Sequence, residues 1–195
     1  RLAGGIPVPI ALKAENDFKL TPEELKAAIT EKTKLVVLAF PNNPTGATLD
    51  KEELEALAEI IRGTDIFVLS DEIYAELTYG VPHTSMATLE GMRERTIVVN
   101  GFSKSYAMTG WRLGFTLAPK EISEHMYKVH QFCIMCAPTT SQFAAIQALK
   151  YGDDDIEYMK AEYNRRRIYI VEGLRNIGIE CFDPKGAFYV WPNIG

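Results

Sequence analysis

No apolar stretch in this sequence approaches the roughly 20 residues that a membrane-spanning helix needs. Positive charge is also scarce, because acidic residues outnumber basic ones by 26 to 21 and the net charge is −5. A protein with that balance has no basic surface for a nucleic acid backbone. We therefore expect neither a membrane nor a nucleic acid as a partner. Because the sequence starts at Arg1 and not at a methionine, the lack of a signal peptide carries little weight.

Cysteine is rare as well, with three residues in all: Cys133, Cys136 and Cys181. An odd number without a disulfide framework favours a reducing compartment, so we expect a cytoplasmic protein. Cys133 and Cys136 have the spacing of zinc ligands, but a structural zinc site needs about four ligands and the histidines are scattered. We therefore predict no metal site and expect buried or half-buried thiols.

Apolar runs and amphipathic stretches alternate along the chain. Leu35–Phe40, Ile66–Leu69 and Thr96–Val99 are short apolar runs, typical of parallel strands that are covered on both faces. Capping boxes at Thr21-Pro-Glu-Glu24 and at Asp50 to Glu53 mark the starts of two helices. Strands that alternate with helices predict an α/β fold with crossover connections.

Further elements follow from local signals. We expect an extended edge segment at residues 6–12, where two prolines lie, and a strand at Leu113–Ala118. Three helices are predicted in the second half of the chain, and a final strand after them: Pro119 to about Cys136, Thr139–Tyr151, Asp153 to Gly178, and Gly186–Gly195. The basic run Arg165-Arg-Arg167 lies inside the long helix and is interpreted as a solvated face.

Polar residues follow three of the predicted strands, where ligands of open α/β sheets bind. They are Asn43, then Asp71 with Tyr74, then Ser103 with Lys104. Each has an ordinary explanation when taken alone: a turn, a helix cap, a packing residue or a surface charge. They form one site only if the three strands are neighbours.

Lys104 is the most unusual of them, because it stands just past a buried strand with Arg112 eight residues further on. A lysine amine is a nucleophile only when it is deprotonated, and desolvation and a nearby cation both favour the neutral form. Lys104 could then form an imine with an aldehyde, while Arg112 could hold a phosphate. An aldehyde that carries a phosphate is pyridoxal 5′-phosphate, PLP.

The other residues meet the remaining needs of that cofactor. A carboxylate such as Asp71 would keep the pyridine nitrogen protonated, so that the ring acts as an electron sink. Tyr74 and Asn43 can donate hydrogen bonds to the phenolic oxygen, and Ser103 can bind the phosphate. The combination is far more specific than any one residue.

The segments that carry these residues are Asn43-Pro-Thr-Gly46, Ser70-Asp-Glu-Ile-Tyr74 and Gly101-Phe-Ser-Lys-Ser-Tyr-Ala-Met-Thr-Gly-Trp-Arg-Leu-Gly114. They resemble the landmark segments of fold-type-I PLP enzymes of the class I/II aminotransferase group. The third is the most specific, since it resembles the attachment-site pattern over its whole length. The resemblance implies a three-layer α/β/α large domain with a mostly parallel sheet, and a transfer of amino groups between amino acids and 2-oxo acids.

By this resemblance three residues are catalytic. Lys104 is the lysine of the internal aldimine and the proton shuttle, Asp71 is the partner of the pyridinium, and Tyr74 binds the phenolic oxygen. Asn43 is implied as a second ligand of that oxygen.

The same resemblance makes Ser103 and Arg112 phosphate ligands. Where the aspartate aminotransferase subgroup commonly has a serine three residues before the lysine, this sequence has Gly101. That departure leaves the number of hydroxyl groups on the phosphate open.

The resemblance extends over essentially all 195 residues, although family members are about twice as long. It implies a PLP-binding large domain in residues 1–152, and a connecting helix with the first strand of a small domain in residues 153–195, both incomplete. We expect that this chain alone does not catalyse efficient transamination. Family members are usually homodimers, so a homodimer is expected for the full-length protein.

Other functions stay open on the same residues. A carbon–sulfur β-lyase or an aminocyclopropane-carboxylate-synthase-like enzyme would use the same scaffold. A regulatory protein with an aminotransferase-like domain, or an α/β domain without PLP, are further alternatives.

Overall fold

The computed structural model of the protein describes residues 2–195. Its four strands form one sheet in the order β1-β2-β3-β4, and their bounds are β1 Leu35–Ala39, β2 Phe67–Asp71, β3 Thr96–Gly101 and β4 Gly114–Leu117. The first three strands are parallel to one another, and β4 is antiparallel to β3. The predicted α/β fold with a mostly parallel sheet is confirmed.

Six α-helices accompany the sheet in the described part of the chain: α1 Pro22–Ala28, α2 Lys51–Ile61, α3 Phe102–Ser105, α4 Lys120–Cys133, α5 Thr139–Tyr151 and α6 Asp153–Asn176. Four short 3-10 turns lie between them, at Ala14–Asn16, Met86–Thr88, Arg93–Arg95 and Thr109–Trp111. No helix within residues 2–195 combines the length and the apolar composition that a membrane crossing would require.

Both predicted capping boxes are formed. The Thr21 hydroxyl accepts from the backbone of Glu24, the Asp50 carboxylate accepts from that of Glu53, and each glutamate accepts from its cap's backbone N–H. Each box satisfies two backbone N–H groups that a helix start otherwise leaves without a partner. The two helices therefore begin where the sequence predicted.

The main core lies between α1, α2 and one face of the sheet. Leu25 of α1, Leu57 and Ile61 of α2, and Leu38 and Val68 of the sheet are all buried within it. Side chains alternate between the two faces of a strand, so these strand residues point to the same side. Burial of such side chains contributes about 1.5–3 kcal/mol each, so this face stabilises the arrangement of the strands.

The opposite face of β1 does not match the prediction of a strand covered on both sides. Leu35 is 46% exposed and Val37 is 61% exposed. On β4 all four residues are exposed. Helices α1 and α2 pack on the other face of β1, and within residues 2–195 Leu35 and Val37 stay largely exposed.

Two further predictions are wrong. Residues 6–12 form no strand, since Pro7 and Pro9 lack the N–H that a sheet ladder needs. The predicted strand at Gly186–Gly195 is also absent, and the backbone there makes only isolated bridges, Thr78 to Gly186 and Cys181 to Pro192. A strand needs a run of paired neighbours, and these partners lie in different loops.

The basic run of α6 is divided between solvent and interior. Arg165 and Arg166 are exposed and pair with Glu162, which agrees with a solvated face. Arg167 instead has a side chain only 15% exposed and pairs with Asp183. The prediction therefore holds for two of the three arginines.

The thiols differ from the prediction in part. Cys181 is buried as expected, whereas Cys133 and Cys136 are exposed. Both lie at or just after the end of α4, a helix without a buried residue. Within residues 2–195, no three His, Cys, Asp or Glu side chains are grouped as metal ligands would be.

The chain after α6 returns to the loop that follows β1. The carbonyl oxygen of Gly46 accepts hydrogen bonds from Lys185 N at 3.0 Å and from Gly186 N at 2.9 Å. The conformation of Gly46 is left-handed, with φ +76°, and a Cβ added there would lie 2.8 Å from the carbonyl oxygen of Gly186. Only glycine fits this crossing, which fixes the position of residues 183–189, here called the 183–189 segment.

Gly46 and Gly63 give a matched pair for testing this crossing. Both have positive φ, but a Cβ at Gly63 meets no atom within 4 Å. We expect Gly63→Ala to reduce the free energy of unfolding by about 1 kcal/mol, through backbone conformation alone. Gly46→Ala adds the cost of overpacking and should lose about 2–4 kcal/mol. Urea denaturation measures both values, and equal losses would show that the crossing is looser than described.

Candidate active site

The carboxyl ends of the three parallel strands lie at one edge of the sheet. Ala39 at the end of β1 pairs with Asp71 at the end of β2, and Asp71 pairs with Val99 of β3. The polar residues after the three strands could form one site only if the strands were neighbours. The pairing of β1 with β2 and of β2 with β3 meets this condition. This edge is where ligands of open α/β sheets bind.

Tyr74 lies three residues after β2 and is buried, with 3% of its surface exposed. Its hydroxyl oxygen is 2.6 Å from that of Tyr189. Its ring packs edge-on against Phe188 and Tyr189, with centroid distances of 5.3 and 5.8 Å. Tyr74 is therefore held on several sides by the 183–189 segment.

The surroundings of Tyr74 keep its hydroxyl protonated. Burial raises the pKa of Tyr74 well above its usual range, and the hydrogen bond with Tyr189 and the negative charge of Asp71 raise it further. A phenol in this state is a hydrogen-bond donor at any physiological pH.

Lys104 reaches the same place from β3. That strand ends at Gly101, and the one-turn helix α3 carries Lys104 directly after it. The Lys104 ammonium lies 5.8 Å from the centroid of the Tyr74 ring and 5.4 Å from that of Phe188. Within residues 2–195 no carboxylate forms an ion pair with Lys104. Its amine therefore faces an aromatic surface and not an acid.

In residues 2–195, only one carboxylate oxygen of Asp71 accepts a hydrogen bond from the nearby backbone. Its Oδ1 accepts a hydrogen bond from Ile73 N at 3.2 Å. This is the local bond of a cap, yet turns and not a helix follow, so the interpretation of Asp71 as a helix cap is wrong. No hydrogen bond to Oδ2 is formed within the described chain, and one carboxylate oxygen is left for another partner.

The loop between Lys104 and Arg112 is folded tightly on itself. Gly101 and Gly114 pair directly across β3 and β4, so the loop begins and ends at adjacent residues. Within it, the hydroxyl of Thr109 donates to the Ser103 carbonyl at 2.8 Å. The eight residues from Lys104 to Arg112 therefore form a closed loop and not an extended one.

Arg112 lies at the exposed end of this loop. Its φ is +52°, and its guanidinium donates to the Thr109 carbonyl at 2.7 Å. It makes no ion pair with an acid of residues 2–195. Most of its five N–H donors are left for an anion.

Close packing accounts for the glycine that departs from the aspartate aminotransferase pattern. A Cβ added to Gly101 would lie 3.0 Å from the Cα of Gly114 and 3.1 Å from the carbonyl oxygen of Leu113. In this chain, therefore, a serine at Gly101 would press on the backbone of β4.

Asn43 lies in the turn after β1 and Ser103 in α3, at the same edge, but no hydrogen bond of the described chain joins their side chains to Tyr74 or Lys104. The turn after β1 is organised by Asn42, whose Oδ1 accepts from the hydroxyl of Thr45 at 2.8 Å. Asn43 is exposed. Residues 43–45 do form a turn, as the ordinary explanation predicted, but within the described chain the amide of Asn43 makes no hydrogen bond in it.

A match to the model of the family "Aminotransferase class I and II" covers residues 1–195. The chain belongs to this family. It is the group that the three sequence segments indicated, and its members use PLP.

The similarity to known relatives extends over almost the whole chain. The Bacillus subtilis protein YugH, described as an aminotransferase, is 53% identical over 193 residues, which are 99% of this chain and 50% of that protein. The aspartate aminotransferase of Pyrococcus abyssi is 46% identical over 196 residues, again 99% of this chain and 50% of the relative. The chain spans about half the length of the curated relatives it matches.

Solved structures of the same class share the fold. An aromatic aminotransferase from Pyrococcus horikoshii superposes with a TM-score of 0.95 and 45% identity, over 99% of this chain and 52% of that one. The aspartate aminotransferase from Thermus thermophilus with maleate superposes with a TM-score of 0.92 and 40% identity, over 96% of this chain and 50% of that one. The PLP-transferase-like fold predicted from the sequence is confirmed.

Sequence reasoning missed two residues beside this candidate site. Glu72, next to Asp71, is buried and accepts from the Ser85 hydroxyl at 2.8 Å, while His83 Nε2 lies 3.0 Å from its other oxygen without good hydrogen-bond alignment. Tyr189 was taken for part of a strand. Neither residue has a local signal, because each depends on a contact that the sequence pattern does not encode.

An ion-pair network anchors the 183–189 segment to α6. Arg167 pairs with Asp183, donates to the Pro184 carbonyl at 3.3 Å, and lies over the ring of Tyr79 at 5.4 Å. Lys185 pairs with the same carboxylate. Through these bonds, Phe188 and Tyr189 are held against Tyr74.

The titration of Asp183 makes this anchor sensitive to acid. Burial alone would raise the pKa of Asp183, but the hydrogen bond from Lys185 and the charges of Arg167, Lys185 and Arg175 outweigh it and lower the pKa. A carboxylate with a lowered pKa stabilises the folded state above its unfolded pKa of about 3.9, and that stabilisation is lost as the pH falls further.

We expect Asp183→Asn to lower the free energy of unfolding by about 1 kcal/mol at pH 7, a value reduced for solvent screening because this side chain is 38% exposed. The difference from wild type should shrink below about pH 4 as the carboxylate is protonated. Urea titrations at pH 7 and at pH 3 measure it. Glu180→Gln, at an exposed position close by, is the control, and a loss that does not depend on pH would contradict the ionic explanation.

Proposed function

We propose that the protein is a PLP-dependent aminotransferase, which moves an amino group between an amino acid and a 2-oxo acid. The observation that carries this proposal is the convergence of Asp71, Tyr74 and Lys104 at the carboxyl edge of the parallel strands. Family membership supports it, and so do the relatives, which are described as aminotransferases.

The side chains at this edge fit the cofactor. Asp71 keeps one carboxylate oxygen free to hold a pyridine N–H, and Tyr74 is a protonated donor. Lys104 and Arg112 make no ion pair with an acid of the described chain, so an anionic ligand would find two available cations. The phosphate and the phenolic oxygen of PLP are such anionic groups.

When bound, PLP supplies an aldehyde and a ring that acts as an electron sink. Asp71 would hold a proton on the ring nitrogen, while Tyr74 and Asn43 would donate to the phenolic oxygen. Lys104 would bind the aldehyde carbon, and after an amino acid displaces it, its free amine would take the proton from the substrate Cα.

Arg112 and Ser103 would fix the phosphate. A guanidinium can bind two phosphate oxygens at once, which also fixes the orientation of the ring relative to Lys104. Correct orientation of the ring is what lets one lysine serve both as the bond to the cofactor and as the base.

Amino transfer is preferred to β-elimination, because relatives whose names give a substrate are aminotransferases, for N-acetyl-LL-diaminopimelate, aspartate and aromatic amino acids. A β-lyase would release pyruvate and ammonia from a cysteine conjugate without a 2-oxo acid, so that assay separates the two reactions.

The proposal includes the organisation of the full-length protein. Residues 1–152 would belong to the PLP-binding domain, and residues 153–195 to the connecting helix and the start of the small domain. A homodimer in the cytoplasm is the proposed form. Size-exclusion chromatography with light scattering tests the oligomeric state.

Replacement of Lys104 tests the central assignment. The purified full-length protein should be yellow, lose its visible absorbance on borohydride reduction, and carry the reduced label on Lys104. Lys104→Ala should form no reducible bond, whereas Lys120→Ala, at an exposed position at the start of α4, should behave like wild type. Peptide mass spectrometry locates the label. A colourless protein that takes up no PLP would contradict the proposal, and so would a Lys104→Ala variant that is still labelled.

Replacement of Arg112 tests the phosphate site. A hydrogen-bonded charge is worth about 1.5–3 kcal/mol, so Arg112→Ala should weaken PLP binding about 10- to 100-fold. Arg112→Lys should recover part of this loss, because it restores the charge without the two-pronged geometry. Titration of the apoprotein with PLP gives the dissociation constants, and Arg93→Ala at an exposed turn is the control. Unchanged affinity in Arg112→Ala would rule out the phosphate role.

A further inference from the structure

The hydroxyl of Tyr189 contacts Tyr74 but has no role in the chemistry proposed so far. Tyr189 lies in the 183–189 segment, far along the chain from the three strand ends. Its oxygen is nevertheless 2.6 Å from the oxygen of Tyr74, which is a short O–H···O hydrogen bond. A part-buried hydroxyl pair of this kind needs an explanation, because apolar rings would fill the same space without a polar group.

We infer that Tyr189 is a positioning residue, which donates its hydrogen to Tyr74 and so directs the hydrogen of Tyr74 to the phenolic oxygen of the cofactor. This inference rests on the proposed function. A tyrosine hydroxyl has one hydrogen to donate and can also accept. If the hydrogen of Tyr74 is used toward the cofactor, only Tyr189 can supply the hydrogen of their mutual bond.

Without the cofactor either hydroxyl can be the donor. The titratable groups that face the pair are Asp71 at the end of β2, Lys104 of α3 and Tyr163 of α6. Arg166, Arg167 and Tyr169 of α6 line a cavity together with Tyr189. Burial and the charge of Asp71 oppose ionisation of Tyr74, so its hydroxyl keeps its hydrogen. Cofactor binding would then select the direction of the bond.

The ring of Tyr189 is fixed well enough to serve this purpose. Its centroid lies 5.0 Å from that of Phe188 and 5.8 Å from that of Tyr74. The backbone beside it is tied down as well: Ala187 N donates to the Leu77 carbonyl at 2.8 Å, and the Tyr79 hydroxyl donates to the Ala187 carbonyl at 2.6 Å. The hydroxyl of Tyr189 is thus in position before any ligand arrives.

A hydrogen bond received by Tyr74 also strengthens the one that it gives. Hydrogen bonds in a chain polarise one another, so donation from Tyr189 makes the O–H of Tyr74 a better donor. A better donor favours the form of the cofactor in which the phenolic oxygen holds more negative charge, which is the deprotonated form. Tyr189 would therefore lower the pH at which the bound cofactor loses its proton.

The test is the pH dependence of the visible absorbance of PLP bound to the full-length protein. Tyr189→Phe keeps the ring and removes only the hydroxyl. We expect the midpoint of the absorbance change to move upward by about 0.5–1 pH unit, as for the loss of one hydrogen bond. Tyr74→Phe should move it further in the same direction.

Two comparisons separate positioning from a general loss of structure. In the double variant Tyr74→Phe/Tyr189→Phe, the midpoint should equal that of Tyr74→Phe alone, because Tyr189 acts only through Tyr74. Tyr163→Phe removes a hydroxyl from the same aromatic cluster that makes no hydrogen bond to Tyr74 within residues 2–195. Its midpoint should match wild type.

An unshifted midpoint in Tyr189→Phe would overturn the inference, and so would a further shift in the double variant or an equal shift in Tyr163→Phe. These outcomes leave the proposed function intact, because the protein still binds PLP. A wild-type protein that gains no absorbance with PLP would instead overturn the proposed function, and this inference with it.

Discussion

Parallel pairing of β1, β2 and β3 brings three strand ends, and the polar residues that follow them, to one edge of the sheet. Each of these strands has a short polar loop at that end. The register sets Asp71 level with Ala39 and with Val99, so a slip of one residue would turn Asp71 to the other face. The core between the sheet and α2 opposes such a slip, because it buries Leu38 and Val68 on the opposite face. The chemistry of the edge thus depends on packing behind it.

A second constraint comes from outside the sheet. The 183–189 segment passes the Gly46 crossing and then covers Tyr74 with Phe188 and Tyr189. It is held by backbone hydrogen bonds on one side and by the Arg167–Asp183 pair on the other. Lys104 therefore meets an aromatic surface built from two distant parts of the chain, which limits the positions open to its amine.

Local elements could be predicted from the sequence where the signal was itself local. The capping boxes at Thr21 and Asp50 gave the helix starts, because each is a complete hydrogen-bonding unit within four residues. The apolar runs predicted three strands, and the polar residues after the third of them pointed to Lys104. The sequence suggested that these strands are neighbours but could not show it, and the pairing in the structure confirms it.

Features that need distant partners could not be predicted. The Gly186–Gly195 stretch has the composition of a strand, but no continuous neighbour pairs with it. The exposure of Val37 depends on which helices cover β1, and composition does not reveal this. The hydrogen bond between Tyr74 and Tyr189 leaves no trace in either local sequence.

That hydrogen bond joins residues that are 115 positions apart in the chain. Closing so long a loop costs conformational entropy, but the cost rises only slowly with loop length. Once one such contact is made, the neighbouring contacts at Gly46, Leu77 and Tyr79 close nearly the same loop at little further cost. We therefore expect these contacts to form and break together, so that the 183–189 segment and its aromatic side chains beside Lys104 fold as one cooperative unit.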